Sequence, residues 1–172
     1  MIGEGAISDW SVNYMENVSM SSKTLAPIAL SSFAIAMTVG RLAGDRFRTL
    51  WGDAKLIVMG GIIATSGLVV VLVLPVPYVT IFGFFLVGLG LSTIVPITYS
   101  IAGNTKDLPP GVGLAMVTTV GYSGFLFGPP VIGFISDMSN LRTGLLVVAI
   151  LFIIMTLLGY ARRSKPSKDV NF

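Results

Sequence analysis

The sequence predicts an all-α polytopic membrane protein, and three observations carry that prediction. Hydrophobic residues make up 53% of the 172-residue chain. Charged residues make up 11%, where an ordinary soluble domain carries about 25%. Mean hydropathy is +0.87. Polar groups are too few to cover a soluble surface, so the bilayer is the expected solvent. A chain this apolar is not disordered, and a net charge of +3 is no basic footprint for nucleic acid. With no His and no Cys, disulfides, thiol catalysis, zinc sites and Ser–His or Cys–His pairs are excluded.

The charge-free runs define the spans. No Asp, Glu, Lys or Arg occurs in Thr24–Gly40, Leu56–Thr105, Leu108–Ser136 or Thr143–Ala161. The second run, 50 residues long, would extend roughly 75 Å as one helix against a hydrocarbon core of about 30 Å. It must turn back, and Leu74-Pro75-Val76-Pro77-Tyr78 marks the turn. Five complete spans follow: 24–42, 56–74, 78–103, 111–136 and 144–161. Unpaired backbone is too costly in lipid for anything but helices, and no polar/apolar alternation supports a barrel.

Before them, residues 1–16 are too short for a span. They lack a basic leader and a cleavage site, and so do not read as a signal peptide. We expect the outer half of a helix whose beginning lies upstream. Residues 163–172 read as a tail outside the membrane.

Lys and Arg set the orientation. Arg41, Arg46, Arg48, Lys55, Lys106, Arg162, Arg163, Lys165 and Lys168 fall on one side, and Lys23 and Arg142 on the other. The positive-inside rule puts the larger group and the C-terminus in the cytoplasm. Trp10, Tyr14 and Tyr78 would then lie toward the outer interface and Trp51 near the inner one.

Several constellations bear on function, each beside a purely structural alternative. Glu4 lies about 18–20 Å below the outer surface if its helix ends near Glu16–Val18, which is close to the midplane. Glu4, Ser8 and Ser11 are separated from Asp9, Asn13 and Glu16 by roughly 140° around the helix. An intramembrane carboxylate marks a functional site by default; Glu4 could take up a proton, bind a polar substrate, or serve as a structural partner. Ser92, Thr93 and Tyr99 share a sector of the span 78–103, with Pro96 just below. They suit a cavity for a polyol or small polar solute, or equally act as interhelical glue.

In the span 111–136, Gly121, Gly124 and Gly128 fall within about 60° of one another, a smooth packing stripe. Pro129 and Pro130 bend the outer end beside Gly133. Thr118, Thr119 and Tyr122 take the opposite side as binding candidates. Gly40-Arg41-Leu42-Ala43-Gly44-Asp45-Arg46-Phe47-Arg48 reads as a short cytoplasmic loop: its glycines permit a tight turn, and Asp45 can accept from arginines or helix amides. A generic basic loop fits it too. Ala29, Ser32, Ala36 and Gly40, like Gly60, Gly61, Ala64 and Gly67, are small-residue packing faces. The last span, rich in Leu, Ile and Val, is expected at the lipid-facing periphery.

The segment from Gly40 to Arg48 resembles the signature loop of the major facilitator superfamily, with Gly44 inserted before Asp45-Arg46. The run from Gly121 to Gly133 is similar to a Gly-Pro motif of the same superfamily. Glu4-Gly5-Ala6-Ile7-Ser8-Asp9-Trp10 resembles its bacterial sugar and fucose-permease-like branch. The resemblance implies half of that fold: the C-terminal six-helix half, with five full transmembrane helices and the end of a sixth. It implies a secondary transporter working by alternating access with an N-terminal six-helix half, a small-molecule substrate and candidate H+ coupling, in a bacterial inner membrane. Gly40, Arg41, Gly44, Asp45 and Arg46 would form a cytoplasmic gating segment. No cofactor, metal or enzymatic activity is implied. A non-transporting membrane scaffold is the alternative, although it gives no reason for Glu4.

Overall fold

The structure is a computed structural model that describes residues 1–105 and 108–163. Among these are seven helices: α1 (Ile2–Asn17), α2 (Ala26–Trp51), α3 (Asp53–Val73), α4 (Pro77–Leu91), α5 (Ile94–Gly103), α6 (Pro110–Met138) and α7 (Leu141–Arg163). Lys106, and Lys165 and Lys168 of the tail, lie outside the described residues. Five stretches are long and apolar enough to cross a membrane: Ala26–Trp51, Asp53–Val73, Pro77–Gly103, Gly111–Met138 and Leu141–Ala161.

The proline turn forms after Val73. Leu74 leaves the helical region, and Pro77 opens α4 at its first position, where a missing N–H costs nothing. Pro75 leaves the Val71 carbonyl without its helical donor. Tyr14, fully buried, donates its hydroxyl to that carbonyl at 2.9 Å and sets its ring edge-on to Phe84. Tyr14 therefore works as an interhelical tie rather than as an interfacial anchor.

Two segments differ from expectation. The stretch from Gly40 to Arg48 is not a loop: α2 continues through it to Trp51, and the link to α3 is Gly52 alone, at φ +75°. Leu, Ala and Arg are good helix formers and nothing here breaks the hydrogen-bond ladder. Only the residue that needs positive φ ends the helix. The span 78–103 is in turn two helices, interrupted at Ser92–Thr93. Pro96 has no N–H for the Ser92 carbonyl four residues back, and its ring crowds that carbonyl.

The core is built where the helices touch. α3 packs against α4 and α7, α2 against α4, and α1 against α6 and α2. Ile7, Met15, Phe33, Leu68, Phe84, Val87, Leu145 and Phe152 are buried there. One close approach joins Gly60 of α3 to Gly90 of α4. A Cβ on Gly90 would stand 2.9 Å from the Ala64 Cβ and press on the Gly60 carbonyl. The other faces of α7 and most of α6 are exposed.

Candidate functional site

Continuation of α2 moves Arg41 from a loop into the middle of a span. It lies roughly 4 Å from the midpoint of the 26-residue helix at 1.5 Å per residue. Its Nη2 donates to Glu4 Oε1 at 2.9 Å. Two depth estimates agree. Glu4 lies about 20 Å from Asn17 along α1, and Arg41 about 22 Å from Ala26 along the antiparallel α2. Charges at that depth are stable only when paired or hydrated, and the ion pair supplies the pairing. The Glu4 side chain is 13% exposed and Arg41 48%. Glu4 Oε2 also lies 3.6 Å from the Met1 amino nitrogen.

Arg41 belongs to a stripe. Ser31, Ala34, Thr38, Arg41 and Asp45 are exposed and recur at three- and four-residue steps on one side of α2. Ile28, Ile35, Val39 and Leu42 form a second, wholly apolar exposed side. The apolar side suits lipid. The polar stripe suits water or another protein surface. On α1 the half-buried Ser8 stands one turn beyond Glu4, level by register with Thr38, which is one turn back from Arg41.

Glu4 also edges a cavity of about 520 Å³, lined by the start of α1 and by parts of α4, α5, α6 and α7. Thr98 and Tyr99 lie on its wall; the rest is apolar, including Ile94, Met116, Val120 and Phe152. Of the binding candidates, the cavity brings together Glu4 and Tyr99. Asp9 is exposed on the outer side of α1. Ser92 is buried, donates to the Leu89 carbonyl at 2.7 Å, and fills the space left by Gly40. Thr93 sits against Gly44, where an added Cβ would stand 3.0 Å from its methyl group. Both residues of the helix break therefore seat on α2 and do not line the cavity. Thr118 is half-buried, and Thr119 and Tyr122 are exposed on α6, also outside the cavity wall.

The glycine stripe of α6 meets α1. Gly124 and Gly128 face Ile2, at 2.6 Å and 3.0 Å from a built Cβ, Gly121 faces Met1, and Gly133 faces the Trp10 ring at 2.9 Å. The Trp10 indole N–H donates to the Pro129 carbonyl at 3.2 Å, so Trp10 is held between helices. Pro129 frees the Phe125 carbonyl, and Gly5 lies against that oxygen, 3.1 Å from a built Cβ. Pro130 is exposed beside it.

At the other end of α2, Arg48 clasps Asp53 with two hydrogen bonds, 2.6 Å from Nε and 2.9 Å from Nη2, across the Gly52 corner. The same Nη2 donates to Ser100 of α5 at 2.6 Å. The carboxylate that closes on an arginine here is Asp53 rather than Asp45. Asp45 and Arg46 are exposed. Asp45 does border a cleft of about 20 Å³ with Arg41, Gly44, Arg48, Thr93 and Pro96. Nearby, Phe47 stacks on Trp51, and the Lys55 ammonium lies over the Trp51 ring.

The Glu4–Arg41 pair and the Arg48 clasp were not legible as contacts in the sequence. Arg41 looked like one more basic loop residue. The available signal was the spacing of Ser31, Thr38, Arg41 and Asp45, which continues the α2 pattern without interruption.

Residues 6–171 match the family model of the Major Facilitator Superfamily. The chain belongs to that superfamily. It is 37% identical to an uncharacterized MFS-type transporter of Yersinia pestis over 152 residues, 88% of this chain and 40% of that protein. It is 35% identical to the membrane protein MosC of Rhizobium meliloti over 155 residues, 90% of this chain and 38% of that protein. The chain thus spans about two fifths of the length of these superfamily relatives. No solved structure matches. Family membership and the five apolar spans make this an integral membrane protein with half of the superfamily fold.

Proposed function

We propose that this chain forms the C-terminal six-helix half of a secondary active transporter that moves a small solute by alternating access. The observation that carries the reading is the Glu4–Arg41 pair at mid-depth, on the polar stripe of α2. A charge pair at that depth on a polar helix face suits a transport path between two half-domains. The exposed length of α6, with Thr119 and Tyr122, is the surface the N-terminal half would cover. Glu4 is the site of H+ coupling, and Tyr99 and Ser8 flank it.

The second half of α2, with Gly40, Arg41, Gly44, Asp45 and Arg46, forms the gating segment, tied to α3 and α5 through Arg48. The excess of Lys and Arg supports a cytoplasmic C-terminus in a bacterial inner membrane. The run from Glu4 to Trp10 supports the sugar and fucose-permease-like branch. The test is flux in proteoliposomes carrying the full-length protein. Glu4→Gln should abolish acceleration by an inward-acid pH gradient; flux that keeps its full pH dependence excludes Glu4 as the coupling site.

A further inference from the structure

We infer that Arg41 is the docking group for a hydroxylated organic monocarboxylate, with Glu4 as the intramolecular competitor that the substrate displaces. The inference rests on the transporter reading and names its substrate class. The exposures of the two partners differ in a way that selects the sign of the ligand. Glu4 is mostly covered, while nearly half of the Arg41 side chain is open on the polar side of α2. A solute arriving on that side meets the guanidinium first. Only one of its nitrogens is engaged by Glu4, at 2.9 Å, so the planar fork has donors left for a second carboxylate. Beside it stand the hydroxyls of Thr38, one turn back on α2, and of Ser8 on α1, which suit the hydroxyls of a polyhydroxy acid better than a bare hydrocarbon chain.

Charge balance then gives the coupling. When Arg41 transfers to the solute carboxylate, Glu4 is left without its main cationic partner. From α5 it faces the neutral Tyr99 and Thr98, and from α6 and α7 the apolar walls of Val120 and Phe152. An unpaired carboxylate in such surroundings is neutralised by a proton taken from water onto its oxygen. Solute anion and H+ thus enter together, with no net charge added to the site. Release of both returns Arg41 to Glu4.

The test is calorimetric titration of the full-length protein in chloride-free buffer. The probes are gluconate, glucitol (the same hydroxyl chain without the carboxylate) and glucosamine. Gluconate should bind saturably, more tightly as pH falls, and glucitol and glucosamine at least tenfold more weakly. Arg41→Gln should abolish gluconate binding. Glu4→Gln removes the competitor, so it should tighten gluconate about tenfold at neutral pH and flatten the pH dependence. A gain of affinity cannot come from misfolding. Equal binding of glucitol, preference for glucosamine, absence of gluconate binding, or weaker gluconate binding in Glu4→Gln overturns the inference. Counterflow in proteoliposomes separates the two readings. Arg41-dependent gluconate binding without counterflow keeps the anion site and rejects transport. Glucitol flux indifferent to Arg41→Gln keeps transport and rejects the anion site.

Discussion

Glu4 and Arg41 are 37 positions apart in sequence and 2.9 Å apart in space. Removing one partner strands a charge inside a span, while removing both leaves two neutral amides. Arg41→Gln alone should therefore destabilise the protein more than the double variant Glu4→Gln/Arg41→Gln does. Because Arg41 is half open to solvent, the coupling should be about 1–2 kcal/mol, below that of a fully buried pair. A double-mutant cycle on thermal unfolding in detergent measures it, and additive effects would mean that the pair contributes nothing. Tyr14 makes a different kind of contact: its hydroxyl supplies the donor that Pro75 lacks. Tyr14→Phe keeps the ring against Phe84 but orphans the Val71 carbonyl. The expected loss is about 1–2 kcal/mol, read from the same unfolding curves.

Among the elements, α4 and α5 are one span divided by Pro96. Pro96→Ala restores the N–H that the Ser92 carbonyl lacks, and should allow a continuous helix from Pro77 to Gly103. Amide exchange at Thr93–Ile97 should slow in that variant, and unchanged exchange would point to another cause for the break. The number of apolar spans was legible because unpaired charges are expelled from hydrocarbon: the long charge-free gaps after Lys23, Lys55 and Arg142 and on either side of Lys106 hold them, although the paired Arg41 lies inside its own span. The turn at Pro75–Pro77 was legible because proline acts locally. The end of α2 was not: arginine suits both a cytoplasmic loop and the last turns of a helix, and only Gly52, which needs positive φ, distinguishes the two. Nor were the places of Ser92 and Thr93. Helical angle shows which residues share a face but not which neighbour that face meets, and theirs meets Gly40 and Gly44 of α2. Those glycine contacts are tight elsewhere as well. Gly90→Leu would drive a side chain into the Gly60 backbone, and should cost about 1–3 kcal/mol or prevent assembly of α3 with α4. Thermal unfolding and expression level report it.

The molecule as a whole is a bundle closed on one side and open on the other. α3 is joined to α4 and α7, and α4 to α2, through buried small residues, while α6 and the polar stripe of α2 are left bare. The absence of native cysteine makes its orientation directly measurable. Leu50→Cys should react with an impermeant maleimide only after the cytoplasmic face is opened, and Ser22→Cys should react from outside in intact cells; the reverse pattern would invert the topology. The bare surface is the one that the proposed second half would cover. The Arg48 clasp adds a mechanical condition. α5 has ten residues, a lever about 15 Å long at 1.5 Å per residue, pivoting at Ser92–Thr93. A swing of about ten degrees at that pivot carries Ser100, about 10 Å along the lever, by roughly 2 Å, enough to part it from Arg48. Asp53 would keep its own grip on the guanidinium. The corner between α2 and α3 would then be a fixed stop with a detachable catch, Asp53 holding Arg48 in place while Ser100 comes and goes.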